Sequence, residues 1–337
     1  MANTSTVNYQ DGDTRLLPDN CQNVVRNVKA GELQMEALGR GHYPGQRLPR
    51  HVMPGLKSMG FIDVNRQQCL GTGWHYNEGI EVCYLENGHV DFMTEKAVYQ
   101  LQPGDVTVTW PWQRHCLGNP KVSPSRLYWL MLDVGIRRPK QSWCWPKWIM
   151  LCPNDRDELT RRLASLNNPV FGGGEYLSRC FRRIGKLIDD SRHECSWSLL
   201  TVLVNEVFAL LLDQLRDKGG RERKYAQASL QLVGQFWQEL LDSPEQLNLA
   251  WTLPKLAKKC GFGTTQFVQH TQALTNVAPM HYLRQCRLQR AAKLLLDDLN
   301  LTVTDISQRC GFSSGQYFAT AFRRYFGCSP QTYRCMG

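Results

Sequence analysis

From about Gly55 to Leu132 apolar and polar residues alternate in short runs, the period of half-buried strands. "GIEVCYLENGHVDFMT" predicts two strands joined as a hairpin by Asn87-Gly88. "AVYQLQPGDVTVTW" predicts a second such pair, turning at Pro103-Gly104-Asp105, and "SRLYWLMLDV" a closing strand. Short strands at this spacing predict a small barrel or sandwich. Residues 1–50 show no single period and are rich in Gly and Pro, which predicts a partly irregular arm.

Beyond Pro153 the period lengthens. "NDRDELTRRLASL", "GEYLSRCFRRIGKLIDDSR" and "SWSLLTVLVNEVFALLLDQLRD" predict three helices. In the third, Leu199, Leu200, Leu203, Val207, Leu210 and Leu211 form a stripe too broad for a lone surface helix. It packs on the barrel, and its other side pairs either with the preceding helix or with a second subunit. "KGGRERK", Lys218–Lys224, reads as a linker.

The last third contains a duplication. "LPKLAKKCGFGTTQFVQHTQALTNVAPMHYLR" (Leu253–Arg284) and "VTDISQRCGFSSGQYFATAFRRYFGCSPQTYR" (Val303–Arg334) each carry a short helix ending in Cys-Gly-Phe, a polar turn, a second helix and a proline followed by an aromatic. Gly261 and Gly311 fall just past a helix end, where a left-handed residue is needed. Each copy therefore predicts a helix-turn-helix, with "MHYLRQCRLQRAAKLLLDD" as a long connecting helix. Two matched units on one rigid helix suit two successive major grooves of DNA.

Composition sharpens this. The 337 residues suit two domains and carry a formal charge of +10. Eleven Lys and Arg against six Asp and Glu place about half of that excess after Gln227. Such a balance favours a polyanionic partner. The thirteen cysteines form no C-x-x-C pair, so a structural zinc is not expected and they read as reduced thiols. No run of about 18 apolar residues predicts a membrane span. "MANTSTVNYQDGDTR" predicts no export signal. The expected location is the cytoplasm.

The segment from about Leu230 to Arg334 resembles the DNA-binding domain of the AraC/XylS family of transcription regulators. Its second copy, G-F-S-S-x-x-Y-F-x-x-x-F-R-R-Y-F-G-x-S-P-x-x-Y-R, matches the most specific part of that family's signature. The first copy departs from it: Thr271 stands where the family usually has an aromatic core residue, and Asn276 where it has glycine. The resemblance implies that Thr265, Val268 and Gln269 in the first copy, and Gln316, Ala319 and Thr320 in the second, face base edges. Gln reads adenine, and Thr or Ala meets a thymine methyl. Arg323, Arg324, Arg284 and Lys258, with Lys259 beside it, are placed for phosphates. Phe318, Phe322 and Phe326, four apart, read as a buried stripe.

The β region resembles a cupin, the barrel this family often uses to sense small molecules. His75, Asn77, Glu81 and Gly88 fall at the spacing H-x-H-x3-E-x6-G, with Asn77 in place of the second histidine; Gly104, His115 and Asn119 follow the second half-motif. His75, Glu81 and His115 are three of the four ligand types of metal-bearing cupins and could hold iron. The favoured alternative is a barrel in which they hydrogen-bond an organic effector, with neither metal nor cofactor. Trp74 and Trp112 belong to a cluster of seven tryptophans between Trp74 and Trp148. These suit a carbohydrate-type effector; the other reading is core packing.

The expected fold class is α+β: a cupin-like barrel, then helices, then an all-α domain with two helix-turn-helix units. The domains expected are an arm (1–50), a ligand-binding barrel (51–152), a helical dimerisation region (153–217), a linker (218–227) and a DNA-binding domain (228–337) with units at about 252–274 and 302–326. The function expected is a regulator rather than an enzyme. Its partners are double-stranded DNA, a small-molecule effector, a second copy of the chain and, by the resemblance, RNA polymerase. The competing reading is a metal-dependent cupin enzyme with an accessory basic helical domain.

Overall fold

The computed structural model describes residues 8–31, 33–67, 71–118, 122–190, 196–216, 223–298 and 300–335, with backbone alone for 223–228. Asn119 and the linker segment Lys218–Glu222 lie outside the described residues. The chain forms two compact units, Met1–Lys224 and Tyr225–Gly337.

The first unit opens with β1 (Tyr9–Asp11), β2 (Thr14–Leu16) and α1 (Gln22–Lys29). Strands β3 (Gln34–Gly39), β4 (Gln46–Arg47), β5 (Leu56–Val64), β6 (Ile80–Gly88), β7 (Val90–Thr94), β8 (Val98–Leu101), β9 (Asp105–Thr109), β10 (His115–Leu117) and β11 (Ser125–Leu132) follow. Helix α2 (Pro153–Ala164), strand β12 (Val170–Gly172) and helices α3 (Gly174–Asp190) and α4 (Trp197–Arg216) complete it. The large sheet runs β12-β9-β6-β11-β5-β3-β4 and the small one β10-β7-β8.

Side chains along β6 and β11 alternate between two cores, as a period of two requires. Cys83, Leu85 and Leu127 join Phe92, Leu101 and Leu117 between the sheets. Val82, Tyr84, Tyr128 and Leu130 join Phe181 and Ile184 of α3 and Leu203 and Phe208 of α4 on the outer face. Burial on both faces explains the unbroken apolar run in this strand.

Neither expected hairpin forms. Both edges of β6 are taken by β9 and β11, so after Asn87-Gly88 the chain crosses into the small sheet. Gly88 has φ +82°, and a Cβ there would lie 1.9 Å from the Pro124 carbonyl oxygen. Pro103-Gly104-Asp105 makes the return crossing from β8 to β9, and of the strands β6 to β9 the consecutive pair that forms is β7 with β8. β11 lies mid-sheet, between β6 and β5, rather than closing an edge. The sheet also begins earlier than the pattern implied, because β3 pairs with β5 from Gln34 to Gly39. That short stretch lies within the segment expected to be an irregular arm.

Helix α4 is long and apolar enough to cross a membrane. Its stripe Leu200, Leu203, Val204, Val207, Phe208 and Leu211 is nevertheless buried in the same core as the barrel's outer face. Buried Asn205 on this helix takes the Met150 amide at 2.6 Å and donates to the Trp148 carbonyl at 3.3 Å, fixing the tryptophan-rich segment before α2.

The second unit is helical: α5 (Arg223–Asp242), α6 (Pro244–Asn248), α7 (Leu253–Cys260), α8 (Thr264–Thr275), α9 (Pro279–Asp297), α10 (Val303–Arg309), α11 (Gly315–Phe326) and α12 (Pro330–Arg334). It holds two cores, bridged by α9. Leu283 and Cys286 pack with Trp237, Leu256 and Phe267. One to two turns on, Leu288, Ala291, Ala292 and Leu295 pack with Ile306, Phe318 and Phe322.

The two departures from the family pattern have local explanations. Thr271 is fully buried and its hydroxyl accepts the Trp237 indole N–H at 3.1 Å, so an aromatic from α5 occupies the first core. Asn276 sits at φ +56° at the end of α8, a conformation that Asn tolerates better than other non-glycine residues. Thr271→Val keeps the shape and orphans a buried indole N–H. It is expected to cost about 1–2 kcal/mol in calorimetric unfolding.

Candidate nucleic-acid interface and ligand cavity

Each helix pair is closed by the same device. After α7, Gly261 adopts φ +81° and Phe262 N–H donates back to the Ala257 carbonyl at 3.0 Å. After α10, Gly311 adopts φ +74° and Phe312 N–H donates to the Ser307 carbonyl at 3.1 Å. These bonds satisfy helix-end carbonyls and turn the chain into α8 and α11. Ser314 caps α11 by accepting the Tyr317 amide at 3.2 Å. A capping box of Thr302 and Asp305 starts α10.

The outward faces carry the expected side chains. On α8, Thr265 and Gln269 are exposed and Val268 is half-buried. On α11, Gln316 and Thr320 are exposed and Ala319 is half-buried, while Phe318 and Phe322 are fully buried behind them. Phe326 is only half-buried, sealing the end of the stripe against Tyr333. The Thr320 hydroxyl donates to the Gln316 carbonyl at 3.0 Å, which leaves its oxygen facing outward as an acceptor.

Among the described residues Arg323, Arg324, Lys258 and Lys259 are exposed, and no ion pair engages them. Arg284 is half-buried and donates to the Tyr317 hydroxyl at 3.3 Å, tying α9 to the front of α11. Burial, and then the charges of Arg284 and Arg324, hold His281 below its ordinary pKa, so these three groups lie in one electropositive patch. Tyr317 and His281 escaped the sequence reading. Tyr317 is half-exposed, one position off the stripe Phe318-Phe322-Phe326, and that offset is the signal that marks it as outward-facing.

The first unit holds a cavity of about 130 Å³ inside the barrel. His75, Asn77 and Glu81 line it. Glu81 Oε2 accepts from His115 Nε2 at 3.0 Å and from Asn77 Nδ2 at 3.2 Å. Burial pushes the Glu81 carboxyl up, but the His115 hydrogen bond and the charges around it hold it below the usual carboxylate range. Burial and the neighbouring His115 hold His75 down. His115 is fully buried behind Glu81, its ring 4.3 Å from that of His75, and it does not line the cavity. Donor atoms of His75, Glu81 and His115 fall within 4.8 Å of one another, a set of two imidazoles and a carboxylate that suits iron.

Neither Trp74 nor Trp112 lines the cavity. Trp74 is 40% exposed beneath the Arg114 guanidinium, 5.0 Å away. Trp112 is buried against Tyr9 and donates to the Ile136 carbonyl at 2.7 Å. Trp143, Trp145 and Trp148 pack on the outer core, and of the cluster Trp129 alone reaches the cavity. The packing reading of the cluster thus accounts for most of its members.

Residues 256–336 match the profile of a helix-turn-helix domain and residues 67–131 that of a cupin domain. The virulence regulon transcriptional activator VirF of Yersinia enterocolitica is 29% identical over 136 residues, 40% of this chain and 45% of VirF. The HTH-type transcriptional activator RhaS of Escherichia coli O139:H28 is 31% identical over 165 residues, 43% of this chain and 59% of RhaS. Over these shared segments the chain is similar to AraC-type transcription regulators. It spans about half the length of these curated relatives. Among solved structures, the DNA-binding domain of AdpA in complex with a target DNA is 28% identical, with a TM-score of 0.29, covering 31% of this chain and 90% of that one. In this chain the helix-turn-helix match begins at Leu256 inside α7 and takes in the second copy complete. The cupin match spans β6 to β10 and most of β11, and so contains His75, Asn77, Glu81 and His115.

Proposed function

We propose that the chain is a sequence-specific DNA-binding transcription regulator controlled by a small molecule held in its barrel. The observation that carries this is the pair of matched units on α9, each presenting an exposed polar face on its second helix. On this reading Thr265, Val268, Gln269, Gln316, Ala319 and Thr320 read bases. Arg323, Arg324 and Lys258 neutralise phosphates, and Arg284 acts mainly by holding Tyr317 at the same surface. His75, Asn77 and Glu81 contact the effector, with His115 orienting Glu81. The effector regulates by binding two states of the chain with unequal affinity. The tryptophans that suggested a carbohydrate pack mostly outside the cavity, which favours another effector class. A homodimer on paired half-sites, contact with RNA polymerase, a cytoplasmic location and the absence of catalysis complete the reading.

Two substitutions test the DNA face by anisotropy titration against a selected target and random DNA. Gln316→Ala is expected to cost about 1–3 kcal/mol of discrimination at one base position, with random-DNA affinity unchanged. Arg323→Ala is expected to weaken both equally and reduce the salt slope by about one. Wild-type behaviour of both variants would show that α11 is not the reading helix.

The donor cluster favours one second reading, a metal-dependent cupin enzyme. Stoichiometric iron in the purified chain, lost in His75→Ala and His115→Ala together with a turnover, would establish it.

A further inference from the structure

The barrel cavity has a chemistry of its own. Val24, Met35, Ile62, Val64, Leu127 and Met131 supply most of its wall, and among the described residues no Lys or Arg lines it. Asp19, His75, Asn77 and Glu81 are among its polar lining, with Asn27, Ser58 and Thr72 also present. Glu81 Oε2 is already taken by Asn77 and His115, while Oε1 has no partner among the described residues. Asp19 also lines the cavity, and like Glu81 it lies close enough to act on His75. His75 Nδ1 faces the Gly73 carbonyl at 2.9 Å, so its Nδ1 carries the proton and Nε2 is left as an acceptor. Around Glu81 and His75 the lining therefore asks for a donor.

Size and wall restrict the occupant further. At about 130 Å³ the cavity is near the size of apolar cavities, about 150 Å³, that take up benzene. A pyranose would bring more hydroxyls than the few polar lining groups can meet in so apolar a cavity, each unmatched one a desolvation cost. A carboxylate would meet Glu81 and Asp19, with no cation among the described lining residues to receive it.

Building on the regulator reading above, we propose that the barrel takes a molecule the size of a single ring, apolar over most of its surface, whose one hydroxyl or amino group donates to Glu81. Carboxylates and polyhydroxylated sugars are excluded by the same wall and the same acceptors.

The test is thermal unfolding of the full chain with four probes: benzyl alcohol, benzylamine, benzoate and glucose. Benzyl alcohol or benzylamine, at about tenfold over its Kd, is expected to raise the melting transition of the first unit by roughly 2–4 °C. Benzoate and glucose should leave it unmoved. Ile62→Phe, which fills the cavity, should abolish the shift, and Glu81→Gln should weaken benzylamine about tenfold while sparing benzyl alcohol. If Glu81→Gln does not fold, the Ile62→Phe comparison still decides. Stabilisation by glucose, by benzoate or by iron(II) alone would overturn the proposal, as would no shift with either donor probe or a shift that survives Ile62→Phe. Failure of the regulator reading would show separately, as loss of target preference in ligand-free anisotropy on the same preparation.

Discussion

Gly311→Ala is expected to destabilise the second unit by about 2–5 kcal/mol, whereas Gly261→Ala costs about 1–2 kcal/mol. The two glycines hold the same place in the two copies and nearly the same φ, +74° and +81°. Each substitution carries the left-handed penalty of an L side chain. Their surroundings differ. A Cβ at Gly261 meets nothing within 4 Å, while one at Gly311 would lie 2.7 Å from the Asn248 carbonyl oxygen and 2.9 Å from the Arg287 guanidinium carbon. The first of these is backbone and cannot step aside; the second would have to abandon its own bonds. Calorimetry on the full chain checks the difference. Equal costs would mean that the Gly311 turn is not packed as described.

Arg287→Ala is the second large effect, about 2–4 kcal/mol. The Arg287 side chain donates to three carbonyls: Leu247 at 3.0 Å, Gly311 at 2.9 Å and Leu249 at 2.6 Å. Burial holds its pKa below the usual arginine value, yet among the described residues no carboxylate pairs with it. The carbonyls of Leu247 and Leu249 belong to the end of α6, against the first core, and Gly311 to the turn of the second copy. One guanidinium on α9 therefore ties the end of α6, beside the first core, to the turn of the second copy. Arg287→Lys is expected to recover less than half the loss, because an ammonium lacks the fork that reaches three acceptors. Affinity for a two-groove target should fall more than affinity for random DNA in both variants, measured by the same anisotropy titration.

How much of this was legible in sequence depends on whether the cause was local. The helix ends at Gly261 and Gly311, the buried pair Phe318 and Phe322 and the outward Gln316 and Thr320 follow from spacing along one helix. Asn87-Gly88 carried an equally local hairpin signal, yet the chain crosses sheets there, because β9 and β11 from distant sequence already occupy both edges of β6. The same limit hid the Trp237–Thr271 pair, 34 residues apart, and the Arg287 clamp, whose acceptors are backbone atoms that no pattern of side chains announces. In the barrel, the spacing around His75 and Glu81 found one polar group of the cavity lining. It left out the apolar wall, to which strands and α1 from across the first 131 residues contribute. Trp74 and Trp112 were misleading because ring abundance says nothing of which way a ring faces.

Hydroxyl-radical footprinting of the full chain on a selected DNA fragment tests the central claim most directly. Two protected patches about 10 base pairs apart on one face of the duplex, one of them losing sequence preference in Gln316→Ala, are the predicted result. A single patch, or two patches unaffected by Gln316→Ala, would contradict it.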